Sequence, residues 1–147
     1  MINNGVSKKI LIIGADYKEK GGIASVIKSH KHIMETFIFV PSYIAGSKMI
    51  KIYYLLIAIC AIIYKCIFGG IKIVHVHTAS NIDFYRNTIF IYIAKLCNKK
   101  VLLHIHGGKF EEFYKKNKGF VRITCNKCDL LLAVSTYFVK FITDYSI

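Results

Sequence analysis

The sequence predicts an α/β protein: a single Rossmann-like, doubly wound parallel sheet with helices on both faces. Three observations predict it. Five short apolar runs have the length of strands, and the first of them shows no polar alternation, as a strand covered on both sides should. Segments of helical character separate the runs, which is the pattern of a parallel sheet crossed by helices. Neither a linker nor an internal repeat divides the 147 residues, so 1–147 reads as one domain with room for a real core. Right-handed crossovers leave few ways to connect such elements, and the doubly wound sheet is the obvious one.

The first strand is "KKILIIG", Lys8 to Gly14. The loop "ADYKEKGG" follows and opens an amphipathic helix with Ile23, Val26, Ile27 and Met34 on one side and Lys28, Lys31 and His32 opposite. "TFIFV", Thr36 to Val40, is a second strand that Pro41 should close. A helix from about Met49 to Phe68 leads to the strand "IKIVHVH", Ile71 to His77. The next helix, "YRNTIFIYIAKLC", spaces Ile89, Ile93 and Leu96 as one helical face. Then come the strand "KVLLHIH" (Lys100 to His106), helical segments between Glu111 and Lys127, the strand "LLLAV" (Leu130 to Val134) and a last helix from about Thr136.

Two of these strands end on His-x-His and open into small residues, "HVHTAS" and "HIHGGKF". Ligands of doubly wound sheets bind in the crevice beyond the strands' carboxyl ends, where these histidines fall. Side chains alternate along a strand, so His75 and His77 share a face, as do His104 and His106. The outer pair, His77 and His106, is placed to move a proton or hydrogen-bond a hydroxyl or phosphate near neutral pH. The inner pair, His75 and His104, reads as packing or as support behind the outer pair. The glycines after His106 let backbone approach a ligand. Gly21 and Gly22 precede a helix N-terminus beside Lys18 and Lys20, which makes a natural anion site without being a dinucleotide fingerprint.

The formal charge of +13 suits phosphorylated ligands, an anionic membrane face or nucleic acid. Nucleic acid is disfavoured, because the only basic-aromatic alternation, "KFEEFYKK", is interrupted by two glutamates. Five cysteines without a signal peptide read as free cytosolic thiols. "CNKC", Cys125 to Cys128, ends a helix rather than starting one, which argues against thioredoxin-type chemistry. With neither a second CxxC nor metal-type histidine spacing on a helix, no metal site is expected.

Taken in order, "KKILIIG…KGGIASVI", "IKIVHVHTAS", "VLLHIHGGKF" and "CDLLLAVSTYFVKF" resemble the N-terminal domain of family 4 glycosyltransferases, which have the two-domain GT-B fold. The resemblance runs from about Lys8 to Phe141. It implies retaining transfer of a sugar from a nucleotide donor, in polysaccharide or glycolipid assembly. Gly21 and Gly22 match the loop that lies against the donor's diphosphate and sugar. His77 matches the catalytic-site histidine beside the reacting sugar and acceptor, while His106 and Gly107 match residues lining the cleft. Ser135 matches a structural serine before the last helix. Arg86 and Lys109 are nearby cations that assist in this picture. The resemblance also implies that the donor is held mainly by a second domain with a Glu-x7-Glu motif, and no two glutamates here have that spacing. The expectation is an acceptor-binding half, with no tightly bound cofactor and no activity until a C-terminal partner chain completes it. It is otherwise a truncated gene product.

"IYYLLIAICAIIYKCIF", Ile52 to Phe68, is apolar around nearly its whole circumference. At about 1.5 Å per residue it spans roughly 26 Å, short of a ~30 Å hydrocarbon core, and Lys65 interrupts it. A buried or surface-lying helix is therefore expected over a membrane span. Lys48, Lys51, Lys65 and Lys72 flank or punctuate it, as suits docking on anionic headgroups at the inner face of the cell membrane. A glycan or lipid-linked acceptor is the expected partner. The alternative from another class is a non-catalytic membrane-docking or scaffolding subunit that recruits a separate catalytic chain.

Overall fold

A computed structural model describes residues 1–107, 109–135, 139, 140, 142 and 143. The five expected strands are present as β1 (Ile10–Ala15), β2 (Ile38–Tyr43), β3 (Ile73–Thr78), β4 (Lys100–Ile105) and β5 (Leu130–Ala133). They form one all-parallel sheet in the order β2-β1-β3-β4-β5. The helices between them are α2 (Gly22–Ile33), α3 (Lys48–Phe68), α4 (Ile82–Leu96), α5 (Phe110–Lys116) and α6 (Lys118–Cys125), after a short N-terminal α1 (Asn4–Ser7). The chain steps from β1 to β2 in one direction and from β3 onward in the other. This is the Rossmann-like, doubly wound sheet that the alternation predicts, with its switch point between β1 and β3.

Alternation along the strands divides the core. Leu11, Ile13, Val74, Val76, Val101, Leu103 and Ile105 face the larger cluster, closed by α3, α4, α5 and α6. Ile12 faces the smaller one with Ile27 and Met34 under α2. Gly14 is what lets α2 sit close: a Cβ there would lie 2.6 Å from Ile27 Cδ1 and 3.1 Å from His77 Cβ.

Some boundaries differ from expectation for identifiable reasons. β2 runs through Pro41 to Tyr43 instead of ending there, because β2 is an edge strand and one side of its backbone has no ladder to donate to. In α4 the buried residues are Phe84, Asn87, Thr88, Phe90, Ile91 and Ala94, while Ile89 and Leu96 are exposed and Ile93 is half-buried. This helix is apolar on two sides, and the side that meets the Phe110 and Phe113 rings is the one buried. α1 had no periodic signal; Asn3 caps it by accepting the Val6 N–H. The last helix expected from about Thr136 lies largely outside the described residues, as does Gly108, although 139, 140, 142 and 143 are helical.

α3 departs most from a core helix. Its 21 residues make it about 32 Å long, long and apolar enough to cross a membrane. Only Ala58, Ile62 and Cys66 are buried, with Leu55, Ile59 and Ala61 half-buried against the core. Met49, Ile52, Tyr53, Leu56, Tyr64, Ile67 and Phe68 all face outward. The buried alternative is thus corrected to a helix docked by one stripe on the sheet.

Candidate functional site

Three groups of chemically competent residues surround the carboxyl end of the sheet, and they are distinct. The first lies under α2. His75 and His77 from β3 share a face with His104 from β4 and His106 just past it, as alternation requires. Ring centroids of successive members are 4.3 Å apart for His75 and His77 and 4.2 Å for His104 and His106. Across the strands, His77 lies 4.9 Å from His104 and 5.3 Å from His106. α2 adds a fifth ring, His30, at 5.2 Å from His75 and 5.3 Å from His77.

The expected division into outer functional and inner packing histidines is not what the sheet builds. His77 is 0% exposed and His106 6%, whereas His104 is half-exposed. His77 is walled off because α2 passes over it, so it does not line an open cleft. Its Nδ1 is 3.0 Å from Nε2 of His106, which links the two. Burial, followed by repulsion from the neighbouring rings, holds His75 down to about 3 and His106 to about 4, and depresses His77 further. Burial lowers His30 and His104 too. All five rings are therefore neutral at physiological pH, with free lone pairs rather than charge. Asn87, 1% exposed, fixes the end of β3 by donating from Nδ2 to the His77 carbonyl and to Thr78 Oγ1.

His30 went unpredicted although a signal was there. Ile23, Ile27, His30 and Met34 follow one helical stripe, so His30 occupies a position where an apolar residue belongs.

The second group is the start of α2. Gly21 is the N-cap with φ 149°, a backbone that L side chains rarely adopt, and Gly22 is the first helical residue. Both are exposed. A hollow there is lined by Tyr17, Lys18, Glu19, Lys20, Ser25 and Lys28 together with Gly21. Lys18, Lys20 and Lys28 thus line the same hollow as the helix start, alongside Glu19, and a helix start of this kind favours anions. Gly107 and Lys109, at the ends of the β4 loop, are also exposed on the carboxyl edge, with Gly107 packed towards Ala79.

The third group was missed as a unit. A groove of about 770 Å³ runs between β2, α3 and α4, with Tyr43, Leu55, Ile82 and Ile89 among its apolar walls and Lys48, Lys51 and Arg86 as its cations. Arg86 is thus on the opposite face of the sheet from the histidines and does not assist them. It pairs with Asp83 and stacks 5.0 Å above the Tyr43 ring. Asp83 in turn accepts the Ala79 N–H at 2.6 Å, tying the guanidinium to the end of β3.

Cys125 closes α6, as the sequence suggests, and burial raises both its thiol and that of Cys128 to about 12. Neither is a thiolate at neutral pH, so the pair is not poised for redox chemistry. Comparison with known proteins finds no matching family model and no matching curated protein.

Proposed function

We propose that the chain is the N-terminal, acceptor-binding half of a retaining, nucleotide-sugar-dependent glycosyltransferase of the GT-B type. It acts in polysaccharide or glycolipid assembly and is inactive until a donor-binding domain completes it. One observation carries the reading. The Gly21–Gly22 helix start, with Lys18, Lys20 and Lys28 around it, lies at the carboxyl edge of a Rossmann-like sheet. Backbone N–H groups of this turn would face phosphate oxygens, where negative charge develops as the nucleotide leaves. Since α2 covers His77, contact with the sugar falls to the rim residues Gly107 and Lys109. His77 serves as a positioning residue, holding the His106 ring through its Nδ1.

The groove between α3 and α4 suits the tail of a lipid-linked acceptor, being apolar within and cationic at Lys48, Lys51 and Arg86. The test is nucleotide-sugar turnover by the chain alone and by the chain joined to a family 4 donor-binding domain. Turnover is expected only in the joined protein. Gly21→Val, which cannot keep φ 149° and would withdraw the N–H groups, is expected to cut it by about 100-fold or more with the fold unchanged by circular dichroism. Robust turnover by the chain alone overturns its dependence on a second half. A folded, donor-binding joined protein without turnover overturns the transferase reading.

A second reading, the non-catalytic membrane-docking or scaffolding subunit, is favoured by the outward apolar side of α3. It predicts no turnover by the joined protein, with membrane binding by the chain retained.

A further inference from the structure

We infer that the histidine cluster beneath α2 is a binding site for one divalent transition-metal ion, zinc by preference, held by His30, His75, His77 and His104. One ring nitrogen of each lies within 4.8 Å of those of the other three. Tetrahedral zinc with Zn–N bonds of about 2.0–2.1 Å needs its nitrogens roughly 3.3 Å apart. Ligation therefore requires the rings to turn inward to that spacing. Two strands and one helix supply the ligands, so the fold itself brings them together.

The second observation is unpaired polarity. Nε2 of His30, His75 and His77 and Nδ1 of His104 are buried without a hydrogen-bond partner among the described residues. A buried polar atom left unpaired forfeits its hydration with nothing in return, and four in one place call for a common partner. A single cation satisfies all four. His77 is also prepared as a ligand: its Nδ1 meets His106 Nε2 at 3.0 Å, so with Nδ1 donating, the bare lone pair is left on Nε2. Metal-bound imidazoles are held in this way by an outer partner.

Burial keeps the rings unprotonated near neutral pH, as ligation requires. His30 and His104 are half-exposed while His75 and His77 are buried, which gives an ion a way in from one side. Four imidazoles without thiolate or carboxylate select ions of the zinc, copper and nickel type over magnesium or calcium. Four-coordinate geometry favours zinc among them. The site stands independently of the transferase reading.

The purified full chain, stripped by chelator, is titrated with Zn²⁺ by calorimetry and with Co²⁺ by visible absorption. Saturation at one equivalent in the low micromolar range is expected, with the intense visible bands of four-coordinate cobalt and no thiolate charge-transfer band in the near ultraviolet. His30→Ala and His104→Gln should each weaken binding by about 10–100-fold or more, while His32→Ala, exposed and outside the cluster, should leave it unchanged. Circular dichroism checks that each variant folds, and the cobalt spectrum of the unaltered chain needs no variant. No saturable binding, a thiolate band, or unchanged affinity in folded His30→Ala and His104→Gln proteins overturns the site.

Discussion

At Gly14 a single hydrogen decides whether α2 can lie on β1. The glycine ends the first apolar run, where the sequence suggests only a strand terminus, and in the structure it also holds open the gap between Ile27 and His77. Gly14→Ala inserts a methyl 2.6 Å from Ile27 Cδ1, and Ile27 is 0% exposed and unable to swing into solvent. Overpacking of this kind costs about 1–3 kcal/mol. Ile27→Val removes the offending Cδ1, so the double variant should recover part of the loss, a non-additivity that urea denaturation resolves. Equal losses in the presence and absence of Cδ1 would show that helix position is not set by this contact. The same scale explains what sequence reading saw and missed among the histidines. Alternation was enough to put His75 with His77 and His104 with His106. It carried no information on the helix laid above them, so His77 read as a rim residue although α2 covers it. His30 could have been found only by noticing an imidazole on the apolar stripe of that helix.

At the scale of elements, α3 is where pattern and packing part company. Its uniform apolarity specifies no preferred face, so the sequence predicts a helix without saying how much of it the sheet will take. The sheet takes the stripe from Leu55 to Cys66 and leaves the opposite side, Tyr53, Leu56 and Tyr64 included, in the open. An apolar side of that size is suited to lying in a headgroup layer, with Lys48 and Lys51 in the first turn of the helix, turned towards the groove. As the crossover between β2 and β3 the helix stays on the sheet, so we propose that any membrane it meets is touched along its open side and not crossed. Sedimentation with vesicles tests this. Binding to anionic vesicles should exceed binding to neutral ones, and Lys48→Gln with Lys51→Gln should reduce it roughly 30-fold, about 1 kcal/mol per lysine. Leu56→Gln with Tyr64→Gln should weaken binding to both kinds of vesicle. Equal sedimentation with the two kinds would remove the electrostatic part, and indifference to Leu56 and Tyr64 would remove the apolar part. Boundaries elsewhere moved for the same kind of reason: Pro41 stays inside β2 because the strand is at an edge, a fact of topology that the residue alone does not carry.

For the whole molecule, the parallel order and the switch point were legible because five apolar runs and right-handed crossovers admit few arrangements. The consequence of stacking five imidazoles inside that arrangement was not, since it depends on which face each helix covers. It makes the stability of the metal-free protein depend on pH with a definite sign. His75 and His106 are held at about 3 and about 4, and His77 lower still, against an unfolded-state value of about 6.5. Below that value the unfolded chain takes up protons that the folded one refuses, so stability is complete above about pH 6.5 and falls as pH drops towards the folded values. Each fully shielded ring contributes up to about 1.4 kcal/mol per pH unit, and three together on the order of 4 kcal/mol per unit. Against an ordinary stability of about 5–15 kcal/mol, this is a substantial loss by pH 4. Urea midpoints of chelator-treated protein between pH 7 and 5, where carboxylates are still ionised, should fall steeply. His75→Gln should flatten the slope by about a third. A midpoint constant across that window would mean that the folded protein takes up protons on the same rings. The cluster would then have to open to water, which the closed burial of His77 and its link to His106 do not allow.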